Sequence, residues 1–478
     1  MNYRFVFYTL GMVLNIAGFC MLLPLLCALL YSEPYAPVFL ISIAACFLFG
    51  IPLTVKRPKN RNMYAKEGFV IVASSWIVIS LFGALPFMLS GFIPNFFDAL
   101  FETVSGFTTT GASILTSVEP LPKCLLFWRS FTHWLGGMGV LVFLVAILPS
   151  SGGANFYLLQ AESTGANVSK LVPKVKSTAK LLYTMYLGFT IAEIICLLLG
   201  GLPLFDSLTL TFGTVGTGGF GILDSSAGAY SPYVQWVITV FMILCGIDFS
   251  IYHMILLRKF KSLLHSEEAR YYLGIIFTAI VIICVNSWEC FNGLWDAIRH
   301  AAFQVGSLIT TTGFSTVDFN EWRDLSKTVL LILMFIGACA GSTGGGIKVS
   351  RIVILIKSLF KQLKITIHPK RTYKITMNGR TVEHETLRAI NVFLVAYLTI
   401  FIFSLLVISR DNLGFTTNFT AVLASLNNIG PGLDLVGPAG NFSCFSWLSK
   451  LTLTFCMLFG RLEVFPMLVL FARSTWKK

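Results

Sequence analysis

The chain has 478 residues, of which 55% are hydrophobic and 12% charged, with a mean hydropathy of +0.78. Soluble domains carry about 25% charged residues, so this composition excludes a soluble globular protein and, with its long apolar runs, describes an integral membrane protein. The net charge of +13 is explained by where the basic residues fall relative to the spans, so no nucleic-acid partner is expected.

Hydropathy predicts an all-α fold with ten transmembrane helices: Phe5 to Tyr31, Val38 to Val55, Gly68 to Leu89, Leu125 to Leu148, Leu181 to Leu199, Val234 to Leu257, Tyr271 to Trp288, Val329 to Ile356, Ala389 to Ile408 and Leu448 to Phe471. The first run is nearly twice the length of a secretory h-region, about 7 to 15 residues, and is read as a retained helix. Basic residues cluster after the even-numbered spans: Lys56 to Lys66, Lys170 to Lys180, Arg258 to Arg270, Lys348 to Arg388, and Arg473, Lys477 and Lys478 at the end. With Arg4 they make 27 of the 35 Lys and Arg, which places both termini in the cytoplasm of a multi-pass protein and favours contact with anionic membrane lipid. The outer segments are acidic, with Glu33, Asp98, Glu102, Glu119, Asp206, Asp224 and Asp434 among their carboxylates, and attract cations. The eleven cysteines form no CxxC pair, so neither a disulfide framework nor a zinc site is indicated.

The outer connections between paired spans are too long for turns and too apolar for disordered loops, so they are expected to fold back into the protein. Each ends in a glycine motif: Thr109-Thr110-Gly111-Ala112-Ser113, Thr214-Val215-Gly216-Thr217-Gly218, Thr311-Thr312-Gly313-Phe314-Ser315 and Asn428-Ile429-Gly430-Pro431-Gly432. Phe101, Asp206 and Phe303 each stand ten residues ahead of Gly111, Gly216 and Gly313, so the repetition extends beyond the motif. The second copy differs by one residue from the TVGYG loop, whose backbone carbonyls replace the hydration shell of K+. Glycine suits such a loop because turning successive carbonyls inward needs backbone angles that a side chain forbids. A short helix entering from outside would direct the negative end of its dipole toward the membrane centre, which favours a cation. Re-entrant backbone is tolerated at that depth where protein or water satisfies it.

The chain therefore divides into an N-terminal helix pair, residues 1–67, and four helix, pore-loop, helix units at 68–179, 180–270, 271–383 and 384–478 around one pore. This arrangement resembles the Trk/Ktr/HKT superfamily of potassium transporters, and the extra N-terminal pair resembles its TrkH/TrkG branch. The resemblance implies a pseudo-tetrameric K+ pore in the bacterial cytoplasmic (inner) membrane, one pore in each subunit of a homodimer, and a cytosolic TrkA-like nucleotide-binding ring. It implies a K+ filter at Thr109, Thr110 and Gly111, at Thr214, Val215 and Gly216, at Thr311, Thr312 and Gly313, and at Asn428, Ile429 and Gly430. In the family, glycine at the key position of all four loops accompanies K+ preference, and serine in the first accompanies Na+ transport.

Two further features match. The eighth span is interrupted by Gly337-Ala338-Cys339-Ala340-Gly341-Ser342-Thr343-Gly344-Gly345-Gly346-Ile347-Lys348, a run that weakens a helix by about 1 kcal/mol per glycine, so a break is expected. It resembles the family's intramembrane gate loop, with Gly337, Gly341, Gly344, Gly345, Gly346 and Lys348 as its members; close packing of small residues against another helix is the alternative. Arg461, in the middle of the last span, must face protein or water, because a charge there costs about 2.5 to 3.5 kcal/mol. In the family an arginine at this position is a barrier beneath the filter; an ion pair with Glu463 or Asp248 is the structural alternative. Glu193, Asp248 and His133 are expected to be interhelical partners.

Three apparent motifs do not hold. Gly216 to Gly221 satisfies GxGxxG but lacks the preceding strand and following acid of a dinucleotide site. Gly341 to Lys348 approaches a P-loop, yet Ile347 separates the last glycine from the lysine, so no nucleotide is expected to bind this chain. Ser342 with His133 or His300 gives no hydrolase, since nothing in the spacing brings them together, and an enzymatic function is not expected. The filter motifs hold no carboxylate, which favours passive, gated K+ movement over a symporter coupled to H+ or Na+. In the basic segment between Lys357 and Arg388, residues Tyr373 to Val382 partly alternate and turn at Asn378-Gly379, as a hairpin would, and offer a docking element for a cytosolic partner.

Overall fold

The computed structural model describes residues 1–58, 64–139, 175–258, 265–291 and 293–476. The N-terminal pair consists of α1 (Tyr3–Cys20), α2 (Leu22–Leu30) and α3 (Ala36–Val55). The first repeat holds α4 (Ala65–Gly83), α5 (Leu85–Leu89), α6 (Phe96–Phe107) and α7 (Lys123–Gly137), and the second α8 (Val175–Leu199), α9 (Leu204–Val215), α10 (Pro232–Cys245) and α11 (Phe249–Leu256). The third holds α12 (Glu267–Asn286), α13 (Leu294–Ile309), α14 (Asp324–Ile336) and α15 (Val349–Ile367), and the fourth α16 (His384–Ile408), α17 (Phe415–Leu426), α18 (Trp447–Arg461) and α19 (Phe465–Phe471). The protein is an all-α integral membrane protein, with a two-stranded hairpin as the sheet among the described residues.

Six helices are long and apolar enough to cross a membrane, or seven if the α10–α11 pair is one span, among the described residues. Their outward faces stay apolar: Leu187, Ile191 and Ile195 recur every fourth residue on α8 and are exposed, as a lipid-facing stripe must be. The short helices α6, α9, α13 and α17, which stand where pore helices are expected, are instead buried along most of their length. They are too short to cross the hydrocarbon core, since their 12 to 16 residues rise about 18 to 24 Å against about 30 Å. Each therefore enters and stops.

The repeats close into a cycle. Inner helix α7 packs on pore helix α9 of the next repeat, α10 on α13, α14 on α17, and α18 returns to α6. The N-terminal pair stays outside this cycle, with α1 against α3 and α4 and α2 against α7.

The inner spans depart from uninterrupted helices. The predicted sixth span is bent by 93° between α10 and α11; Gly246 sits at the bend, where a β-carbon would lie 2.3 Å from the Tyr272 hydroxyl. The tenth breaks directly after Arg461, because Glu463 and Val464 take positive φ angles of 53° and 68°. The eighth breaks at its glycine run as expected, with Gly337, Gly341 and Gly346 at φ of 74°, 77° and 78°. The fourth runs as helix to Gly137; its predicted continuation over 140–148, and the basic positions Lys59, Arg61, Lys170, Lys174, Lys259, Lys261, Lys477 and Lys478, lie outside the described residues.

The hairpin forms where the Asn-Gly pair places it. Strands Thr376–Met377 and Arg380–Thr381 pair antiparallel, and Asn378 and Gly379 turn at φ of 52° and 74°, the left-handed angles of a two-residue type I′ connection.

Candidate ion path and its lower seal

Each pore helix ends in the same way. In the first, third and fourth repeats a left-handed residue follows the helix end, Thr109, Thr311 and Asn428, at φ of 53°, 58° and 55°. One intervening residue later comes a left-handed glycine: Gly111, Gly313 and Gly430, at φ of 78°, 89° and 99°. The amide between them donates back into the helix: Thr110 to the Ser105 carbonyl at 2.8 Å, Thr312 to Ser307 at 2.8 Å and Ile429 to Ala424 at 2.9 Å. This bond closes the helix terminus and leaves the following carbonyls free to face inward.

In the second repeat the same conformation falls three residues later than the sequence motif suggests. Thr214 and Val215 belong to the last turn of α9, and Gly216 is its right-handed C-cap at φ −71°. The left-handed pair is Thr217 at 53° and Gly219 at 76°, and the bond into the helix runs from Gly218 to the Gly213 carbonyl at 2.8 Å. Thr217, Gly218 and Gly219 therefore replace Thr214, Val215 and Gly216 as the counterparts of Thr109, Thr110 and Gly111. Gly216 has another reason to be glycine: a β-carbon there would lie 2.6 Å from the His133 carbonyl oxygen of α7. A signal was available in the sequence, because Gly219-Phe220 aligns with Gly313-Phe314.

With that register the four glycines form a closed ring. A β-carbon placed on Gly111 would lie 2.1 Å from the Gly218 carbonyl oxygen. One on Gly219 would lie 1.9 Å from that of Thr312, one on Gly313 2.1 Å from that of Ile429, and one on Gly430 2.7 Å from that of Thr110. Each glycine thus abuts the carbonyl of the residue preceding the glycine in the next repeat, and the fourth returns to the first. These separations are far inside van der Waals contact, so only glycine lets the carbonyl of the next repeat approach each position this closely. All four glycines also line one cavity of about 210 Å³, together with Arg129, Asp224 and Ser315. A single water needs about 10 to 15 Å³ of such space, so the cavity has room for a hydrated ion.

Side chains stiffen the ring from outside. Glu102 of α6 is buried and accepts from Arg129 Nε of α7 at 2.6 Å, from the Ser113 hydroxyl at 3.0 Å and from the Ile114 amide at 3.0 Å. Arg129 in turn donates to the Gly221 carbonyl at 2.9 Å and lies over Phe220, so one buried pair holds the descending limbs of two repeats. His133 joins the same limbs: its Nδ1 is 2.8 Å from the Gly106 carbonyl, and its Nε2 accepts from the Phe220 amide at 3.2 Å. Those partners assign the proton to Nδ1 of a neutral imidazole. The Glu102–Arg129 pair was not singled out by sequence reasoning; an acid in a pore helix and an arginine near the start of an inner helix were its only traces.

Beneath the ring lies the glycine-rich loop between α14 and α15. The Gly345 amide donates to the Thr311 hydroxyl at 2.6 Å. A β-carbon on Gly345 would lie 2.4 Å from the Asn427 carbonyl oxygen, and one on Gly344 2.8 Å from that of Thr310. Gly344 and Gly345 therefore press against the third and fourth pore helix ends. On its other side the loop is tied to the bend in the second repeat: Cys339 donates to the Gly246 carbonyl at 3.0 Å and Phe249 to that of Gly341 at 3.2 Å. Gly337 and Gly346 meet at the neck, where a β-carbon on Gly346 would lie 2.7 Å from the Gly337 α-carbon. Lys348, buried and left-handed at φ 88°, donates to the Gly344 carbonyl.

Arg461 fastens loop and ring together. Its guanidinium donates to the Thr109 hydroxyl at 3.2 Å, to the Thr343 carbonyl at 2.9 Å and to the Gly136 and Gly137 carbonyls, the last at 2.7 Å. A planar fork with five N–H donors suits this set of acceptors. Glu463 pairs with Arg351, and Asp248 caps α11 by accepting from the Ser250 amide at 2.9 Å. Glu193 of α8 is fully buried and interacts with the side chain of Thr214 on α9. The distances thus bring the ring, the loop and Arg461 into one assembly, a continuous stack from the outer cavity to the glycine loop.

Comparison with known proteins agrees with this architecture. Residues 35–478 match the family described as TrkH, cation transport protein. The chain is 36% identical over its full length, and the full length of the relative, to the Trk system potassium uptake protein TrkH of Salmonella typhimurium. It is 32% identical to the Trk system potassium uptake protein TrkG of Escherichia coli, with 99% of each chain covered. Among solved structures, that of the potassium transporter TrkH from Vibrio parahaemolyticus superposes with a TM-score of 0.90 at 32% identity, covering 100% of both chains. The family is one of transport proteins rather than enzymes, and this chain belongs to it: it is a member of the TrkH family of cation transport proteins.

Proposed function

We propose that this chain is the membrane subunit of a Trk-type potassium uptake system in the bacterial cytoplasmic membrane, a gated K+-selective pore through which K+ enters down its electrochemical gradient. The observation that carries the reading is the closed ring of Gly111, Gly219, Gly313 and Gly430, each against a carbonyl of the next repeat. Backbone carbonyls that converge on an ion path replace the hydration shell of K+, and the four pore-helix C-termini behind them add partial negative charge. Thr109, Thr217, Thr311 and Asn428 form the lower layer of the filter. The loop from Gly337 to Lys348 is the gate, and Arg461 supplies both a positive barrier beneath the filter and the fastening that keeps the loop in place. An inside-negative potential contributes about 2.3 kcal/mol per charge per 100 mV to inward movement.

In the cell the chain works as a homodimer with one pore in each subunit. A cytosolic nucleotide-binding ring docks on the basic segment that includes the hairpin and moves the gate, while the chain itself binds no nucleotide. Flux into liposomes holding the purified full chain tests the reading, comparing K+ with Na+ under an imposed potential and no other gradient. Selective K+ uptake is expected. Uptake that starts only when a Na+ or H+ gradient is added would replace the pore with a coupled symporter.

A further inference from the structure

We infer that Glu268 is a positioning residue through which the cytoplasmic hairpin sets how tightly the glycine loop seals the ring; the inference rests on the reading of that loop as the gate. Glu268 is the second residue of α12, and one of its carboxylate oxygens, Oε1, accepts from two amides of the third inner span. These are Ala340, at 2.7 Å, and Ser350, at 3.1 Å. Ala340 lies inside the break, where no helix supplies an acceptor. Ser350 is in the first turn of α15, whose amides have no intrahelical partner. A single charged acceptor therefore clamps the limb that enters the loop and the limb that leaves it, and the negative charge also suits a helix N-terminus.

The adjacent residue faces the hairpin. The Glu267 amide donates to the Asn378 side-chain oxygen at the turn, at 2.7 Å. Its carboxylate pairs with Lys357, whose ammonium also donates to the Thr376 carbonyl of the first strand at 2.8 Å. The first turn of α12 is thus held by the hairpin through one residue and holds the loop through the next. Two neighbours in one helical turn cannot move independently, so a partner that displaces the hairpin carries Glu268 with it and loosens both limbs of the loop. The loop's remaining ties, from Gly345 to Thr311, from Arg461 to Thr343 and from Cys339 and Gly341 to the bend between α10 and α11, then act without this clamp.

The test uses the full chain in liposomes, with K+ flux at fixed potential. Glu268→Ala is expected to raise basal flux roughly tenfold at an unchanged K+/Na+ ratio, and Glu268→Gln, which keeps an acceptor, to restore most of the seal. Asn378→Ala is expected to raise flux as well, yet to add nothing in the Glu268→Ala background, because both act through one joint. Unchanged flux in Glu268→Ala, or effects of the two that multiply, overturns the inference. Hydrogen exchange across 337–350 gives a second reading that does not depend on Glu268→Ala folding. Asn378→Ala should speed exchange there, and unchanged exchange counts against the joint. A chain shortened by residues 341–345 separates the two levels: if it leaks and the Glu268 variants do not, the joint falls and the gate stands. If the shortened chain does not leak, the gate reading falls and exchange alone decides the joint.

Discussion

Replacing Arg461 by glutamine removes the positive charge beneath the ring while keeping a hydrogen-bonding side chain. In the intact protein the guanidinium donates to the Thr109 hydroxyl, so it lies one layer below the glycines, and an ion held between that hydroxyl and the ring feels it directly. At about 6 Å and an effective dielectric of about 20, the repulsion is about 3 kcal/mol; in a fully wet path, at about 80, it falls to about 0.7 kcal/mol. If this repulsion limits passage, Arg461→Gln raises K+ flux between about threefold and a hundredfold, the lower figure applying if water fills the path. Arg461→Lys serves as the control for charge, since it retains the cation and loses the fork that reaches Gly136, Gly137 and Thr343. Liposome flux at fixed potential, normalised to incorporated protein, reads both variants. The account expects high flux from Arg461→Gln and a smaller rise from Arg461→Lys, with the K+/Na+ ratio unchanged in each. Flux in Arg461→Gln that equals or falls below that of the unmodified chain would refute the barrier.

Three other outcomes follow from the same geometry. Gly345→Ala places a β-carbon 2.4 Å from the Asn427 carbonyl oxygen, so the loop must retreat from the ring, and basal K+ flux is expected to rise without loss of selectivity. Gly313→Ser adds a side chain 2.1 Å from the Ile429 carbonyl oxygen and is expected to admit Na+, read as a lower K+/Na+ flux ratio. Glu102→Ala leaves Arg129 buried without its carboxylate, a loss of about 3 to 5 kcal/mol. That should appear as a marked drop in the thermal midpoint of the detergent-solubilised protein, and an unchanged midpoint would contradict the bracing role.

Much of this architecture was legible along the chain, for identifiable reasons. Long apolar runs report lipid-facing helices directly, and the Asn378-Gly379 turn needs left-handed angles that few other pairs supply. Gly337 to Lys348 announced a break because glycine density is incompatible with helix. The second glycine segment of the ring was placed three residues early because Thr214-Val215-Gly216-Thr217-Gly218-Gly219 offers two glycine registers three residues apart. Resemblance to TVGYG selected the wrong one, whereas the helix C-cap and the contact with the His133 carbonyl decide it in three dimensions. The break after Arg461 was hidden because Glu463 and Val464 carry no local signal, and the one after Cys245 because Gly246 and the capping Asp248 sit inside one long apolar run that hydropathy reads as a single span. The Glu102–Arg129 pair and the double acceptor at Glu268 join residues far apart in sequence, and no periodicity encodes such meetings.

The central claim, a K+-selective ring made of Gly111, Gly219, Gly313 and Gly430, is tested most directly by K+/Na+ flux ratios of Gly219→Ser and Gly216→Ser measured side by side. A side chain at Gly219 meets the Thr312 carbonyl oxygen at 1.9 Å, and one at Gly216 meets the His133 carbonyl at 2.6 Å. The account predicts that Gly219→Ser loses discrimination against Na+, whereas Gly216→Ser lowers the yield of folded protein and leaves the ratio of what folds unchanged. Selectivity that is kept in Gly219→Ser and lost in Gly216→Ser would contradict it.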